Sequence, residues 1–278
     1  MNDIKTLYWN LESFIFEVFT KIRPIKQPKK KHQLPNQLIV SLTSYPPRFG
    51  KLYLTVKCLI TQSISADKII LCVAECDYKS LPESILLLEN SIDKFEITTS
   101  EDIGAYKKII PVLKEYPNAF IVTADDDVYY PKEWLDKLIT EWDSSYKSIF
   151  AHRVHEITYK NKSIPESYNK WNMSIKEQKN FVDYLATGIG GVFYPPGSLH
   201  SQSTNIDKFM DLCPNADDIW LFWMARLNNS CTKKTSYNFN TISWLDSQGV
   251  ALAGQNVNKN QNDVRIQNLI NNLGWPIK

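Results

Sequence analysis

Glycine is scarce in this chain, at nine residues in 278, and no GxxxxGK[ST] run occurs among them. A P-loop phosphate cradle, whose backbone needs that spacing, is therefore excluded. Cysteine offers no framework either, because the five (Cys58, Cys72, Cys76, Cys213 and Cys231) are odd in number, scattered and never spaced CxxC. Neither a zinc ribbon nor a disulfide scaffold is expected, and a reducing cytoplasm fits. No apolar run reaches about 18 residues, so no transmembrane helix is expected. The first residues lack the basic start, apolar core and small-residue cleavage site of a signal peptide, so the expected location is cytoplasmic. Acidic residues are missing from 18 to 66, whereas Lys21, Arg23, Lys26, Lys29, Lys30, Lys31, Arg48, Lys51 and Lys57 all fall there. The remaining composition, 43% apolar and 22% charged, is that of a globular chain with one large core.

Apolar residues from Ile4 to Ile22 recur at three- and four-residue spacings, which predicts an amphipathic helix. It runs into the proline- and lysine-rich linker "RPIKQPKKKHQLP", so residues 1–33 are expected to form an appendage and 34–278 the main domain. The apolar stripe and the lysines suit an anionic membrane surface, on the inner face of the plasma membrane. A helix packed on the main domain, with a solvated basic tail, suits them equally.

From residue 37 the pattern alternates. Strands are expected at 37–45, 68–75, 95–100 and 119–126, with helices at 51–62, 82–91 and 105–116. Nearly continuous apolar strands alternating with helices predict an α/β fold, with a mainly parallel sheet covered on both faces. In such sheets ligands meet the carboxyl ends of the strands. Beyond 147 the pattern weakens: 148–157 reads as a strand, 184–197 as a strand punctuated by glycine and proline, and 216–229 as a helix. The tail from 254 is asparagine-rich and weakly patterned.

The densest chemistry lies in "IVTADDDVYYP" (121–131), where a buried strand runs straight into three aspartates. Adjacent carboxylates repel and are costly to desolvate without a partner. At the end of a strand Asp125 and Asp127 would turn to one side, able to share a cation, with Asp126 pointing elsewhere. Magnesium or manganese fits, since each takes oxygen ligands and completes its shell with phosphate and water. The competing explanation is a cap for a helix starting near Pro131, but a cap needs one aspartate rather than three.

"TADDDVYYPKEWL" after a buried strand resembles the aspartate-x-aspartate motif of nucleotide-sugar glycosyltransferases with the GT-A fold. "VSLTSYPPRF" (40–49) resembles their first strand and nucleotide-binding loop, "TGIGGVFYPPGSL" (187–199) the glycine-containing segment beneath donor and acceptor sugars, and "ADDIWL" (216–221) the acidic pair that supplies the base in inverting, family-2-like enzymes. The resemblance covers roughly 38–230 and is similar to small bacterial transferases of O-antigen, capsule or lipopolysaccharide synthesis. It implies a nucleotide-binding half at about 37–130 and an acceptor half at about 131–278.

The resemblance implies Asp218 as the base, with Asp217 as its alternate. Asp125 and Asp127 would hold Mn2+ or Mg2+. Ser44, Tyr45, Arg48, Glu75, Lys107, Asp126, Gly190 and Gly191 are the expected donor contacts. The donor would be a nucleoside-diphosphate sugar, UDP-linked by preference, and the acceptor an oligosaccharide or lipid-linked glycan. The usual "DDGS"-like cluster is replaced here by "VAECD", which leaves Glu75 and Asp77 as alternatives. A QxxRW motif is absent, which points to transfer of a single sugar. His152 and His155, two apart on an expected strand, read as ordinary core or surface histidines, and Trp171, Trp220 and Trp223 as core. Asn262 and Asp263 are candidates to close over the site. The rival readings are a metal-dependent phosphoryl or nucleotidyl transferase and a non-catalytic, membrane-associated glycan-binding module. Nucleic acid is not expected as a partner, since the basic run lies in a linker.

Overall fold

The computed structural model describes residues 2–143, 147–161, 164–179, 182–245, 247 and 260–276, with side chains from residue 7 onward. Helix α1 (Asn2–Ile22) leads into β1 (Leu38–Thr43), α2 (Phe49–Ile60), β2 (Lys68–Ala74), α3 (Glu83–Ser91), β3 (Phe95–Ser100), α4 (Ile110–Glu115) and β4 (Phe120–Ala124). The short strand β5 (Val128–Tyr129) and α5 (Trp134–Ile139) follow, then β6 (Ser148–Ala151), β7 (Val154–Glu156), β8 (Tyr184–Ala186) and β9 (Val192–Tyr194). Helices α6 (Ile206–Leu212) and α7 (Asp217–Leu227), strands β10 (Cys231–Lys234) and β11 (Ile242–Ser243), and α8 (Gln261–Leu273) complete the order.

Seven strands form one sheet in the order β10-β6-β9-β4-β1-β2-β3. All its pairings are parallel except those of β9, which runs against both β4 and β6. This is the expected α/β architecture, a mainly parallel sheet flanked by helices. Alternate strand residues divide the core into two layers. Leu38, Val40 and Leu42 of β1 join Leu52 and Val56 of α2 on one face, while Ile39 joins Ile70, Ile121, Trp220 and Trp223 on the other.

Strand order fixes where the site falls. The chain passes from β1 outward to β2 and β3, then returns to lay β4 on the opposite side of β1. The loops leaving β1 and β4 therefore diverge and open a crevice between them, the usual ligand position in such sheets. Because β9 is inverted, the turn preceding it, Thr187–Gly191, reaches the same end of the sheet.

Several expectations change in detail. The helix expected over 105–116 is a tight turn at Gly104–Lys108 followed by α4, because Pro111 lacks the N–H that a continuous helix would require there. The strand expected over 148–157 breaks at His152 and Arg153, so the two histidines do not share one strand. His152 is buried, with Nδ1 2.6 Å from Thr235 Oγ1 and Nε2 3.0 Å from the Trp134 carbonyl, whereas His155 accepts from the Ser174 amide at 2.9 Å. The weakly patterned tail contains α8, which buries Asn262, Arg265, Ile266 and Leu269. Residues 254–259 of that tail lie outside the described residues.

Gly191 illustrates how tightly the second half packs. Its φ is +87°, and a Cβ there would lie 2.4 Å from the Trp134 ring, whose indole N–H donates to the Gly190 carbonyl at 2.8 Å. Backbone strain and overpacking then act together, so Gly191→Ala is expected to cost about 2–5 kcal/mol, read as a lowered denaturant midpoint.

Candidate active site

A cavity of about 680 Å3 opens at the carboxyl ends of β1 and β4. Its walls come from the β1 loop (Ser44, Tyr45, Arg48), the turn before α4 (Lys107, Lys108), the aspartate turn after β4, Arg153 and His155, Thr187, and the start of α7. The three aspartates, Asp217, Asp218, Ser44, Tyr45, Arg48 and Lys107 are thereby brought together from distant stretches of sequence. Asn262 of α8 also lines the cavity, while Asp263 accepts from the Tyr168 amide at 2.7 Å.

The aspartate turn splits in an unexpected way. Strand β4 ends at Ala124, so the two-residue alternation of a pleat no longer applies to residues 125–127. Asp126 and Asp127 converge on Arg48, whose Nη1 lies 3.0 Å from Asp126 Oδ1 and 2.6 Å from Asp127 Oδ2. The Ser44 hydroxyl donates to Asp126 Oδ2 at 2.5 Å. Asp125 turns the other way, to Lys108 Nζ at 3.0 Å. Asp126, expected to point elsewhere, shares its cation with Asp127, and Asp125 does not. The capping explanation closes as well: α5 is preceded by Glu133 with no side-chain cap, and neither Asp217 nor Asp218 caps α7.

The turn itself is firmly anchored. The Thr55 hydroxyl on α2 donates to the carbonyls of Asp126 and Val128, at 2.9 and 3.1 Å, and accepts from the Trp244 indole at 2.7 Å. The Trp244 amide donates to the Asp127 carbonyl at 2.9 Å, and the Asp125 amide to the Tyr130 hydroxyl at 2.8 Å.

Lys108 is the second hub. Buried in the cavity wall, its Nζ lies 3.0 Å from Asp125 and 2.9 Å from Asp217 Oδ2. Burial works against its charge, but Asp125, Asp217 and Asp218 prevail and hold its pKa well above the ordinary lysine value. Burial, with the nearby Asp217 charge, pushes Asp218 up to about 7, against the pull of Lys108. The Gly188 amide donates to both Asp218 oxygens at 3.1 Å and fixes their orientation. Burial likewise lifts Asp126 to about 7, despite Arg48.

No protein-family model matches the chain, and no curated protein matches it. Its fold is similar to solved structures. One is a mannosyltransferase from Pyrobaculum calidifontis in complex with GDP-Man and Mn2+, at 10% identity and a TM-score of 0.34, over 52% of this chain and 45% of that one. Another is TarS 1–349 of S. aureus, at 14% identity and 0.48, over 85% and 66%. A third is the inositol-1-phosphate CTP transferase of T. maritima, at 11% identity and 0.42, over 86% and 98%. The chain thus spans less than half the length of the mannosyltransferase it resembles. At such distances the likenesses carry no argument about chemistry, which rests on the side chains.

Three expected residues take other places. Glu75 is exposed and does not line the cavity, although Asp77 does, because the chain turns away just after β2. Gly190 and Gly191 face Arg153 and Trp134 rather than the opening, so their small size serves packing. Lys107 lines the cavity and pairs with Asp102. Sequence reasoning singled out Lys107 rather than Lys108, since a helix over 105–116 gave no reason to prefer either. The Pro111 break was the available signal. Arg153 was also missed: it lines the cavity, donates to the Thr187 hydroxyl at 2.8 Å, and has its pKa lowered by burial.

Charge supplies the test of whether a metal fits. Among the described residues seven aspartates line the cavity (Asp77, Asp102, Asp125, Asp126, Asp127, Asp217 and Asp218) against four cations, Arg48, Lys107, Lys108 and Arg153. That surplus would repel a nucleoside diphosphate entering alone. Among the described residues no cluster of three or more His, Cys, Asp or Glu could by itself enclose a metal ion. Two carboxylates suffice for Mg2+ or Mn2+ when phosphate and water complete the shell, so the oxygen donors here fit such an ion.

Two predictions follow from the Lys108–Asp218 corner. Asp218 binds its proton more tightly folded than unfolded, so the stability it contributes is lost as pH rises from about 4 to about 7. In chelator, Asp218→Asn should therefore melt higher than wild type at pH 8 and equally at pH 3.5, by scanning calorimetry. A Cβ at Gly188 would lie 2.7 Å from Lys108 Nζ and 3.0 Å from Asp125 Oδ1, against the buried pair those two groups form. Gly188→Ala should accordingly displace Lys108 from Asp125 and Asp217, changing nucleotide affinity and lowering the melting temperature, since it disturbs a buried ion pair.

Proposed function

We propose that this chain is a metal-dependent glycosyltransferase that moves one sugar from a nucleoside-diphosphate donor to an acceptor hydroxyl, with inversion. The supporting observation is Asp218: a half-buried carboxyl on the cavity wall with a pKa near 7, its two oxygens oriented by one backbone amide. A group of that strength suits proton abstraction near neutral pH. Transfer of a nucleotide to a phosphate acceptor would need no such base, which favours glycosyl over nucleotidyl transfer.

In this reading the acceptor oxygen bonds to the anomeric carbon as the bond from that carbon to the diphosphate oxygen breaks. Its proton passes to Asp218, and the bonding electrons leave with the diphosphate. Asp217 and Asp125 hold Lys108 in place, and Lys108 in turn keeps Asp218 from becoming too weak an acid. Arg48 from the β1 loop and Lys107 from the turn before α4 both line the cavity and would face the diphosphate. The excess of carboxylates favours a sugar that gains cationic character as its leaving group departs. When bound, Mn2+ or Mg2+ would be held by Asp127, with phosphate and water completing its shell, and would supply positive charge to the departing diphosphate, while Asp125 is engaged with Lys108. The donor is taken to be UDP-linked and the acceptor an oligosaccharide or lipid-linked glycan of a bacterial surface polymer, on the resemblance of the motifs.

Calorimetric titration with UDP, GDP and CMP, with and without manganese, tests the donor class. One nucleoside diphosphate should bind only with metal and be lost in Asp127→Ala. Asp218→Asn should retain that binding while losing about 10²–10⁴ in turnover. Absence of nucleotide binding under every metal condition would overturn the proposal.

A further inference from the structure

Helix α1 is packed inside out. Ser13, Glu17 and Thr20, spaced four and three residues apart, face the domain with exposures of 4%, 4% and 0%. Their anchoring is polar: the Ser13 hydroxyl donates to the Ser243 carbonyl at 2.8 Å, and Glu17 pairs with Lys51 and Lys21. The opposite face carries Leu11, Ile15, Val18 and Ile22 at spacings of four, three and four, with exposures of 56%, 54%, 41% and 75%. Leu7, Phe14 and Phe19 flank that stripe at 70%, 54% and 49% exposure. Burying polar groups while presenting aliphatic ones to water is the reverse of what a helix on a domain surface does, so the outer face requires a cover.

Charge identifies the cover. The stripe leads into Lys21, Arg23, Lys26, Lys29, Lys30 and Lys31, of which Lys21 pairs with Glu17 and Lys30 with Asp136, and no acidic residue lies between 18 and 66 in the sequence. A second copy of the chain docked on this face would bring two such basic segments toward each other, at an electrostatic cost. An anionic bilayer pairs with both features at once, taking the apolar stripe into its acyl boundary and the lysines at its headgroups. No helix among the described residues is long and apolar enough to cross a membrane, so α1 would lie in the interface plane. The helix also borders a second cavity, of about 1020 Å3, lined by Tyr8, Trp9, Ser13 and residues 238–245. Arg153 lines both this cavity and the active-site cleft.

We infer that the outward face of α1, with the basic linker behind it, docks this protein on an anionic lipid surface. Flotation of the full chain with phosphatidylglycerol-containing vesicles, and with phosphatidylcholine alone, tests the inference without nucleotide or metal. Its failure is therefore distinguishable from failure of the transfer reaction. The expected result is flotation with the anionic vesicles that weakens in high salt and falls at least about tenfold in Leu11→Glu/Ile15→Glu, two exposed positions whose change should leave the melting temperature unaltered. Lys26→Glu/Lys29→Glu should lose the preference for anionic lipid, since each basic residue near such a surface adds about 1 kcal/mol. No flotation with anionic vesicles, or flotation unchanged by Leu11→Glu/Ile15→Glu, would overturn it. So would a concentration-dependent dimer that Leu11→Glu/Ile15→Glu abolishes, because the cover would then be a second copy.

Discussion

Carboxylate repulsion is the constraint around which the cleft is built. Five aspartates from two distant segments, 125–127 and 217–218, meet at one end of the sheet, and their mutual repulsion is held in check by two cations, the buried Lys108 and the partly buried Arg48. Arg48 serves Asp126 and Asp127, while Lys108 serves Asp125 and Asp217. Each cation comes from the turn after a different parallel strand, so the charge balance depends on the strand order as much as on the residues. Removing one partner of such a buried pair leaves an uncompensated charge, which costs far more than the pair itself contributes. The compensation is also incomplete, since Asp126 and Asp218 remain near neutrality in their acid strength. Groups left in that intermediate state are able to exchange protons, a property that a fully neutralised cluster would lack.

Much of the architecture was legible in the sequence, because continuous apolar strands alternating with three-sided helical patterns have few other solutions. The parallel run from β1 to β4 and the placement of the aspartates at its carboxyl end follow from that periodicity alone. The second half was less legible for physical reasons. Strands β6 to β9 are three or four residues long, too short for a period to register, and the inverted β9 carries no local mark of its direction. Helix α8 hid behind asparagines, whose weak helical preference is overridden by burial of Ile266 and Leu269.

Within the site, residue types were easier to foresee than their pairing. Asp125, Asp126, Asp127, Asp217, Asp218, Ser44 and Arg48 all stand at the cavity, but the partner of each depends on turn geometry. Strand β4 ends at Ala124, so residues 125–127 lie wholly outside the pleat on which their alternation was argued. Lys107 and Lys108 are neighbours in sequence yet serve different aspartates, a distinction created by the break that Pro111 enforces. Glycines 190 and 191 were read as making room for a sugar, and they make room for Arg153 and Trp134 instead.

The surface helix and the aspartate turn share one support. Ser13 of α1 donates to the carbonyl of Ser243 in β11, β11 pairs with β5 directly behind the aspartates, and the next residue, Trp244, holds the Asp127 carbonyl and Thr55. Phe16 of α1 rests on Tyr129 of β5, with ring centroids 4.3 Å apart. Deleting residues 1–22 to obtain a better-behaved sample would therefore not yield the same domain minus an appendage. It would bare β11, uncover Tyr129 and loosen the strand pair that keeps Asp127 in place, so a truncated chain would report on an altered carboxylate turn.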